Sequence, residues 1–230
     1  MSSLSFDMGT RSMGYAHVRD TTILQMGIID LGTNETRIAI EELHKLFSTG
    51  GAFEWVTKEP NLTIVMESQP THGAPKTVSH CVQMFCLINS IPCEFMSPND
   101  KLKVIKEWYD TMPKSTRAER KIISMKICAA LLHLPDNAHL YDFYAKHEYK
   151  QRTDLADAVV QGVRCLQRRK KSPITQFLLA NIPVLSETPA VKQQVVIDAS
   201  DQKKRAADDE FSNVKRPKIT TIEHESVDFN

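Results

Sequence analysis

Apolar and polar positions change period several times along the chain, and each change predicts an element. Leu4 and Phe6 alternate with polar neighbours, the period of a half-buried strand. Extended patterns recur over Gly14–Val18 and Ile23–Ile29, so the first thirty residues read as a three-strand antiparallel meander. Glu35–Phe47 then takes helical spacing through Ile38, Leu43, Leu46 and Phe47. Leu62-Thr-Ile-Val-Met-Glu67 is a near-continuous apolar run ending in an acid, which predicts a central strand covered on both faces. A helix over Pro75–Asn89 follows, with Val78, Val82, Phe85 and Cys86 on one face, then a fifth strand over Pro92–Met96.

Pro98–Trp108 reads as a helix carrying Lys101, Lys103 and Lys106, and Asp110–Thr116 as a loop. Arg117–Leu132 resumes a helix burying Ile122, Met125, Ala129 and Leu132. Pro135–Gln151 reads as a polar connection with a short helix around Leu140–Lys146. From Thr153 a strongly amphipathic helix begins, its buried stripe being Leu155, Ala158, Val159, Gly162, Val163 and Leu166. Pro173–Pro183 predicts one more short helix. Beyond about Ser186 the apolar period fades into a charge-mixed stretch expected to be disordered. The expected division is therefore a domain over residues 1–185 and a tail over 186–230.

Composition sharpens this only in places. The 230 residues are 41% hydrophobic and 25% charged, which suits one globular domain with an appendage. No apolar run approaches the roughly 20 residues of a membrane span, and the first residues lack a secretory pattern, so the expectation is an intracellular protein without membrane contact. Five cysteines, an odd number with no CxxC pair, read as reduced and buried. The net charge of +1 conceals two basic stretches. Residues 101–126 hold eight Lys/Arg against three acids, and residues 146–171 again eight against three. Such surface suits a polyanion, although solvated helical faces give similar counts. Lys203-Lys-Arg205 and Lys215-Arg-Pro-Lys218 in the tail look like a bipartite import signal, with a DNA-binding arm as the competing reading.

Four acids stand out as candidate chemistry. Asp7 ends the first strand beside Gly9, which permits a tight turn; side-chain capping of that turn is the alternative. Asp7-Met-Gly-Thr10 and Asp30-Leu-Gly-Thr33 share the Asp-x-Gly-Thr pattern of actin-like ATPases. The chain looks too short for that two-lobed fold, and turn and helix-cap duty is the better reading of Asp30. Glu67 ends the fourth strand. Asp154 and Asp157, three apart, share a flank of what reads as the first turn of the last long helix, where acids also satisfy free N–H groups. A meander, a helix and then a parallel-type strand is how the ribonuclease H-like fold begins, and there strands one and four are neighbours with a late helix across their ends. That arrangement would gather all four acids. Clustered carboxylates disfavour ionisation, and hard divalent cations such as Mg²⁺, with oxygen ligands, relieve it.

Asp7-Met-Gly9, then four residues, then Gly14-Tyr-Ala16, with Glu67-Ser-Gln69 and Asp154-Leu-Ala-Asp157-Ala158, resembles the RuvC family of Holliday junction resolvases. The poxvirus-type and fungal mitochondrial branches look nearest, and the likeness spans roughly residues 2 to 170. It implies an α/β ribonuclease H-like fold: a five-stranded mixed sheet, three antiparallel strands plus two parallel ones, flanked by helices. It further implies a Mg²⁺-dependent endonuclease, with Mn²⁺ as a substitute, that resolves four-way DNA junctions by paired nicks as a homodimer. Asp7, Glu67, Asp154 and Asp157 would hold two ions, about 4 Å apart in such mechanisms. Lys103 and Lys121 would support the scissile phosphate, leaving open whether Arg120 or Lys121 has that part. Lys101, Lys106, Arg117, Arg120, Lys150 and Arg152 are the candidate DNA contacts. The helix over Lys76–Asn89 is either the dimer interface or an ordinary core helix. A ribonuclease H-like enzyme cutting RNA/DNA hybrids and a noncatalytic junction-binding protein are the rivals. The tail implies a nuclear import receptor and a nuclear site of action, or for a viral protein the host nucleus or replication site.

Overall fold

The computed structural model describes residues 1–9, 11–69, 73–105 and 116–169. Lys106, the remainder of the expected 98–108 helix, nearly all of the 110–116 loop, the expected helix at 173–183 and the basic tail lie outside the described residues.

Strands β1 (Ser2–Asp7), β2 (Ser12–Arg19) and β3 (Thr22–Asp30) form the antiparallel meander. Helix α1 (Thr36–Phe47) and a 3₁₀ turn (Glu54–Thr57) lead to β4 (Leu62–Glu67). Helix α2 (Ala74–Ile88) leads to β5 (Cys93–Met96). After a 3₁₀ segment (Lys101–Ile105) come α3 (Arg117–Leu132), a 3₁₀ turn (Pro135–Leu140), α4 (Tyr141–Lys146) and α5 (Tyr149–Arg169). The sheet order is β3-β2-β1-β4-β5, with β4 parallel to both β1 and β5. This is the expected five-stranded mixed sheet. Asp7 and Glu67 consequently sit at the same edge, one residue beyond the Phe6–Met66 pair of adjacent parallel strands.

Strand β1 departs from its expected half-exposed character. Leu4 and Phe6 join Met13, Ile29, Ile64 and Met66 under α1 and α2, but Ser3 and Ser5 are equally buried on the opposite face. There they meet α5: Ser3 Oγ donates to the Gly162 carbonyl at 3.0 Å, and Ser5 Oγ to the Ala158 carbonyl at 2.6 Å. Polar side chains are tolerated inside because each has a partner. A Cβ on Gly162 would stand 3.0 Å from both serine oxygens, so glycine lets the helix backbone lie close to the strand. Gln161, also buried, donates through Nε2 to the carbonyls of Phe6 (3.2 Å) and Val65 (3.0 Å), tying α5 to both parallel strands.

Three boundaries differ from the sequence reading. The segment after Pro98 is a turn followed by 3₁₀ winding, because Ser97 Oγ accepts the Asp100 N–H (3.0 Å) and its carbonyl accepts from Lys101 (3.4 Å). The 135–151 connection is largely structured. Its buried Asn137 accepts from the Ile23 N–H (2.7 Å) and donates to the Thr21 and Leu131 carbonyls, joining the meander to α3. Helix α5 starts at Tyr149, not Thr153, so Asp154 and Asp157 fall beyond its first turn, which carries no acid. Helix-start capping therefore does not account for them.

All five cysteines are free. Among the described residues, no helix is long and apolar enough to cross a membrane. Helix α2 has a core face and an exposed apolar one. Val78, Val82 and Cys86 are in the core, while Met84, Leu87 and Ile88 are 55, 64 and 76% exposed.

Candidate metal centre

The site forms where β1 and β4 end and α5 crosses them. Phe6 and Met66 pair across the parallel ladder, so the next residues, Asp7 and Glu67, emerge side by side. The Gln161 bonds to Phe6 and Val65 fix the turn of α5 over that edge. Asp157, one turn earlier, is thereby lowered onto the two acids. Asp7, Glu67 and Asp157 each offer a carboxylate oxygen within 4.8 Å of the others. Gly14 completes the approach. It pairs with Asp7 across β1 and β2, and a Cβ there would lie 2.4 Å from the Asp154 carbonyl oxygen.

Lys101 is buried in the midst of the acids, with 4% of its surface exposed. Its ammonium donates to Glu67 Oε2 at 2.5 Å and stands 3.1 Å from Asp157 Oδ1. The second approach is an ion pair without good hydrogen-bond geometry, so the buried Asp157 Oδ1 lacks a proper donor. Burial opposes the charged form of Lys101, but Asp157, Glu67 and Asp7 outweigh it and raise its pKa above the ordinary lysine value. Burial, then the charge of Asp157, lifts the Asp7 carboxyl well above the usual carboxylate range; Lys101 opposes this, while Glu67 and Asp154 add to it.

Asp154 stands apart from the three-acid cluster. Lys121 Nζ is 3.7 Å from its Oδ1 and donates to Thr153 Oγ1 at 3.1 Å. Desolvation raises the Asp154 pKa, against the pull of Lys121 and Lys150.

The acids open into a cleft of about 460 Å³ lined by Ser68, Gln69, Pro98, Lys101, Arg117, Arg120 and Lys121 along with Asp7, Glu67 and Asp157. Carboxylates and cations thus share the lining. The other four expected basic residues among those described stand differently. Lys101, expected on a DNA-contacting surface, is enclosed by the acids. Lys103, expected beside the phosphate, stands 3.6 Å from Asp100, its neighbour on the same turn, and does not line the cleft. Arg152 does not line it either; it is half-buried with its charge acting on Tyr144, and Lys150 is exposed near Asp154.

The donor set is chemically suited to a hard divalent ion. It offers carboxylate oxygens alone, close enough to share one ion, with one buried oxygen short of a donor. Asp7, Glu67 and Asp157 are the residues that would hold it, with Asp154 at the margin.

No protein-family model matches the chain, and no curated protein matches it in sequence. Solved structures do. Fowlpox virus resolvase, determined with substrate Holliday junction DNA, is 14% identical with a TM-score of 0.50. That match covers 74% of this chain and 99% of the viral one. Thermus thermophilus RuvC is 13% identical with a TM-score of 0.50, covering 75% of this chain and 98% of its own. The likeness establishes the fold: this chain folds as RuvC and the fowlpox virus resolvase do.

Proposed function

We propose that the protein is a structure-selective endodeoxyribonuclease that resolves four-way DNA junctions with divalent metal ions, Mg²⁺ foremost. The observation that carries this reading is the convergence of Asp7, Glu67 and Asp157, from positions far apart in sequence, in a cleft also lined by Arg117, Arg120 and Lys121. Its support from comparison is a fold in common with a resolvase determined on junction DNA. A bound divalent ion pair in such a site supplies an activated water and neutralises charge on the leaving oxygen.

The chain's own residues divide the remaining work. Asp7, Glu67 and Asp157 would hold the ions, with Asp154 at the edge. Arg117 and Arg120 hold the DNA backbone, Arg being suited to bidentate phosphate contacts. Lys121, already turned toward Asp154 and Thr153, meets the charge that develops at the scissile phosphate. Paired nicks on a twofold junction call for two such sites, so the working form is a homodimer. The exposed Met84, Leu87 and Ile88 of α2 are the apolar surface suited to join the copies. The tail's basic clusters serve nuclear import.

The test is cleavage of a synthetic mobile four-way junction with Mg²⁺, beside an RNA/DNA hybrid duplex and the Asp157→Asn variant. Symmetric nicks in the junction that vanish in the variant support the reading. Preferential cutting of the hybrid, or undiminished cleavage by Asp157→Asn, refutes it. Sedimentation of wild type against Ile88→Glu tests the dimer: a dimer that becomes a monomer is expected, and a wild-type monomer rejects the paired-site arrangement.

A further inference from the structure

The cleft contains a cation of its own, and it stands where the acids converge. Lys101 Nζ is 2.5 Å from Glu67 Oε2 and 3.1 Å from Asp157 Oδ1. These belong to two of the three carboxylates grouped closely enough to share an ion. The lysine stem has little room to leave. It is buried and rises from a 3₁₀ segment secured by bonds to Ser97 and by the Lys103 N–H on the Asp100 carbonyl (3.0 Å). A surface lysine would exchange its partner for water at small cost; this one would leave buried carboxylates uncompensated.

We propose that Lys101 is a built-in counter-cation of the acid cluster that competes with divalent metal for the oxygens of Glu67 and Asp157, so that it sets the metal affinity of the DNA-free protein. The inference rests on the divalent-ion reading of the cluster and adds a specific opponent to it. Lys101 holds the three acids together while no ion is bound. An ion bridging Glu67 and Asp157 has to displace that ammonium or accept its repulsion at close range. Either way affinity is kept lower than a site of three carboxylates would otherwise have. DNA phosphate, arriving with further negative charge and oxygen ligands, shifts the balance toward the ion.

The experiment is titration of the full chain with Mn²⁺ alone, without DNA, read by calorimetry and by the paramagnetic resonance signal of free Mn²⁺. Lys101→Met is expected to bind Mn²⁺ at least about tenfold more tightly than wild type, because one positive charge is removed within a few ångströms of the ion. Its thermal midpoint is expected to fall in chelator and to recover on Mn²⁺ addition by more than wild type gains. Lys101→Gln, which retains a donor but no charge, is the second variant should the methionine form fail to fold; the same tightening is expected. Unchanged or weaker Mn²⁺ binding by a folded variant overturns the proposal. No Mn²⁺ binding by either protein overturns it together with the metal reading. Tighter binding by the variant, with no junction cleavage by wild type, upholds the counter-cation and rejects only the resolvase assignment.

Discussion

Replacing Gly14 by alanine should damage stability and catalysis together, because one methyl group is driven between the two elements that carry the acids. Gly14 pairs with Asp7 in the β1–β2 ladder. A Cβ built on it would stand 2.4 Å from the Asp154 carbonyl oxygen, 2.5 Å from the Asp154 carbonyl carbon and 3.0 Å from the Leu155 nitrogen. All three are backbone atoms of α5, so no rotamer change can relieve the contact. Ordinary van der Waals separation begins near 3.4 Å, so the helix must retreat by about 1 Å to accept the methyl. Overpacking of this kind costs about 1–3 kcal/mol, which for a domain of this size, at about 2–4 °C per kcal/mol, lowers the thermal midpoint by roughly 2–12 °C. A misplacement of about 1 Å at reacting groups costs on the order of 100-fold in rate. The assay is thermal unfolding followed by single-turnover junction cleavage with Mg²⁺. Gly32→Ala is the control. Its φ of +66° makes alanine strained, but nothing lies within 4 Å, so it should lose about 1–2 kcal/mol and no cleavage. A Gly14→Ala protein that melts and cleaves like wild type would refute the close-approach argument. One that is destabilised yet cleaves normally would show that α5 can shift without moving Asp157.

Two further outcomes follow from the same geometry. Asp7 has a carboxyl pKa raised by burial and by Asp157, so its stabilising contribution is present below the ordinary carboxylate range and is lost as pH climbs through the raised value. Asp7→Asn should therefore abolish cleavage yet make the chelator-treated protein more stable than wild type at about pH 8, the gap closing toward about pH 4; thermal melts across pH check this, and a variant less stable at high pH contradicts it. Gln161→Leu removes two buried bonds to the Phe6 and Val65 carbonyls and should cost about 1–3 kcal/mol in urea unfolding, since each carbonyl then loses a buried donor; wild-type stability would mean that α5 docks without them.

The frame of the domain is legible in the sequence wherever one face of an element is uniformly apolar. The run at Leu62–Met66 is near-continuous because β4 is covered on both sides, and the α5 stripe survives because Leu155, Val159 and Val163 all enter the core. Where burial is polar, the pattern misleads. Ser3 and Ser5 read as the solvent side of a strand, yet they are hydrogen-bonded against a helix. Asn137 reads as part of a loop, yet it satisfies three backbone groups. Helix α5 begins four residues before its apolar period because Tyr149 and Lys150 are exposed and offer no stripe. The capping box at the start of α3 was a readable signal: Thr116 Oγ1 accepts from the Glu119 N–H, and Glu119 returns the bond.

Lys101 reads in the sequence as a candidate DNA contact, and its place among the acids changes how the site balances. A lysine among lysines reads as solvated surface, and only the closing of Ser97–Asp100 into a turn directs this one inward. If all of Asp7, Glu67 and Asp157 are ionised, three carboxylates face one ammonium and two negative charges are left over. The protein without metal can lower that excess by retaining a proton on Asp7, the direction in which its surroundings push it. A divalent cation cancels the same excess outright, and then the Asp7 proton is no longer favoured. Metal binding and release of that proton are thus two sides of one charge balance, with Lys101 fixing where the balance lies. Asp157, which helix-start capping does not explain, belongs to that balance, whereas Asp154 is met by Lys121.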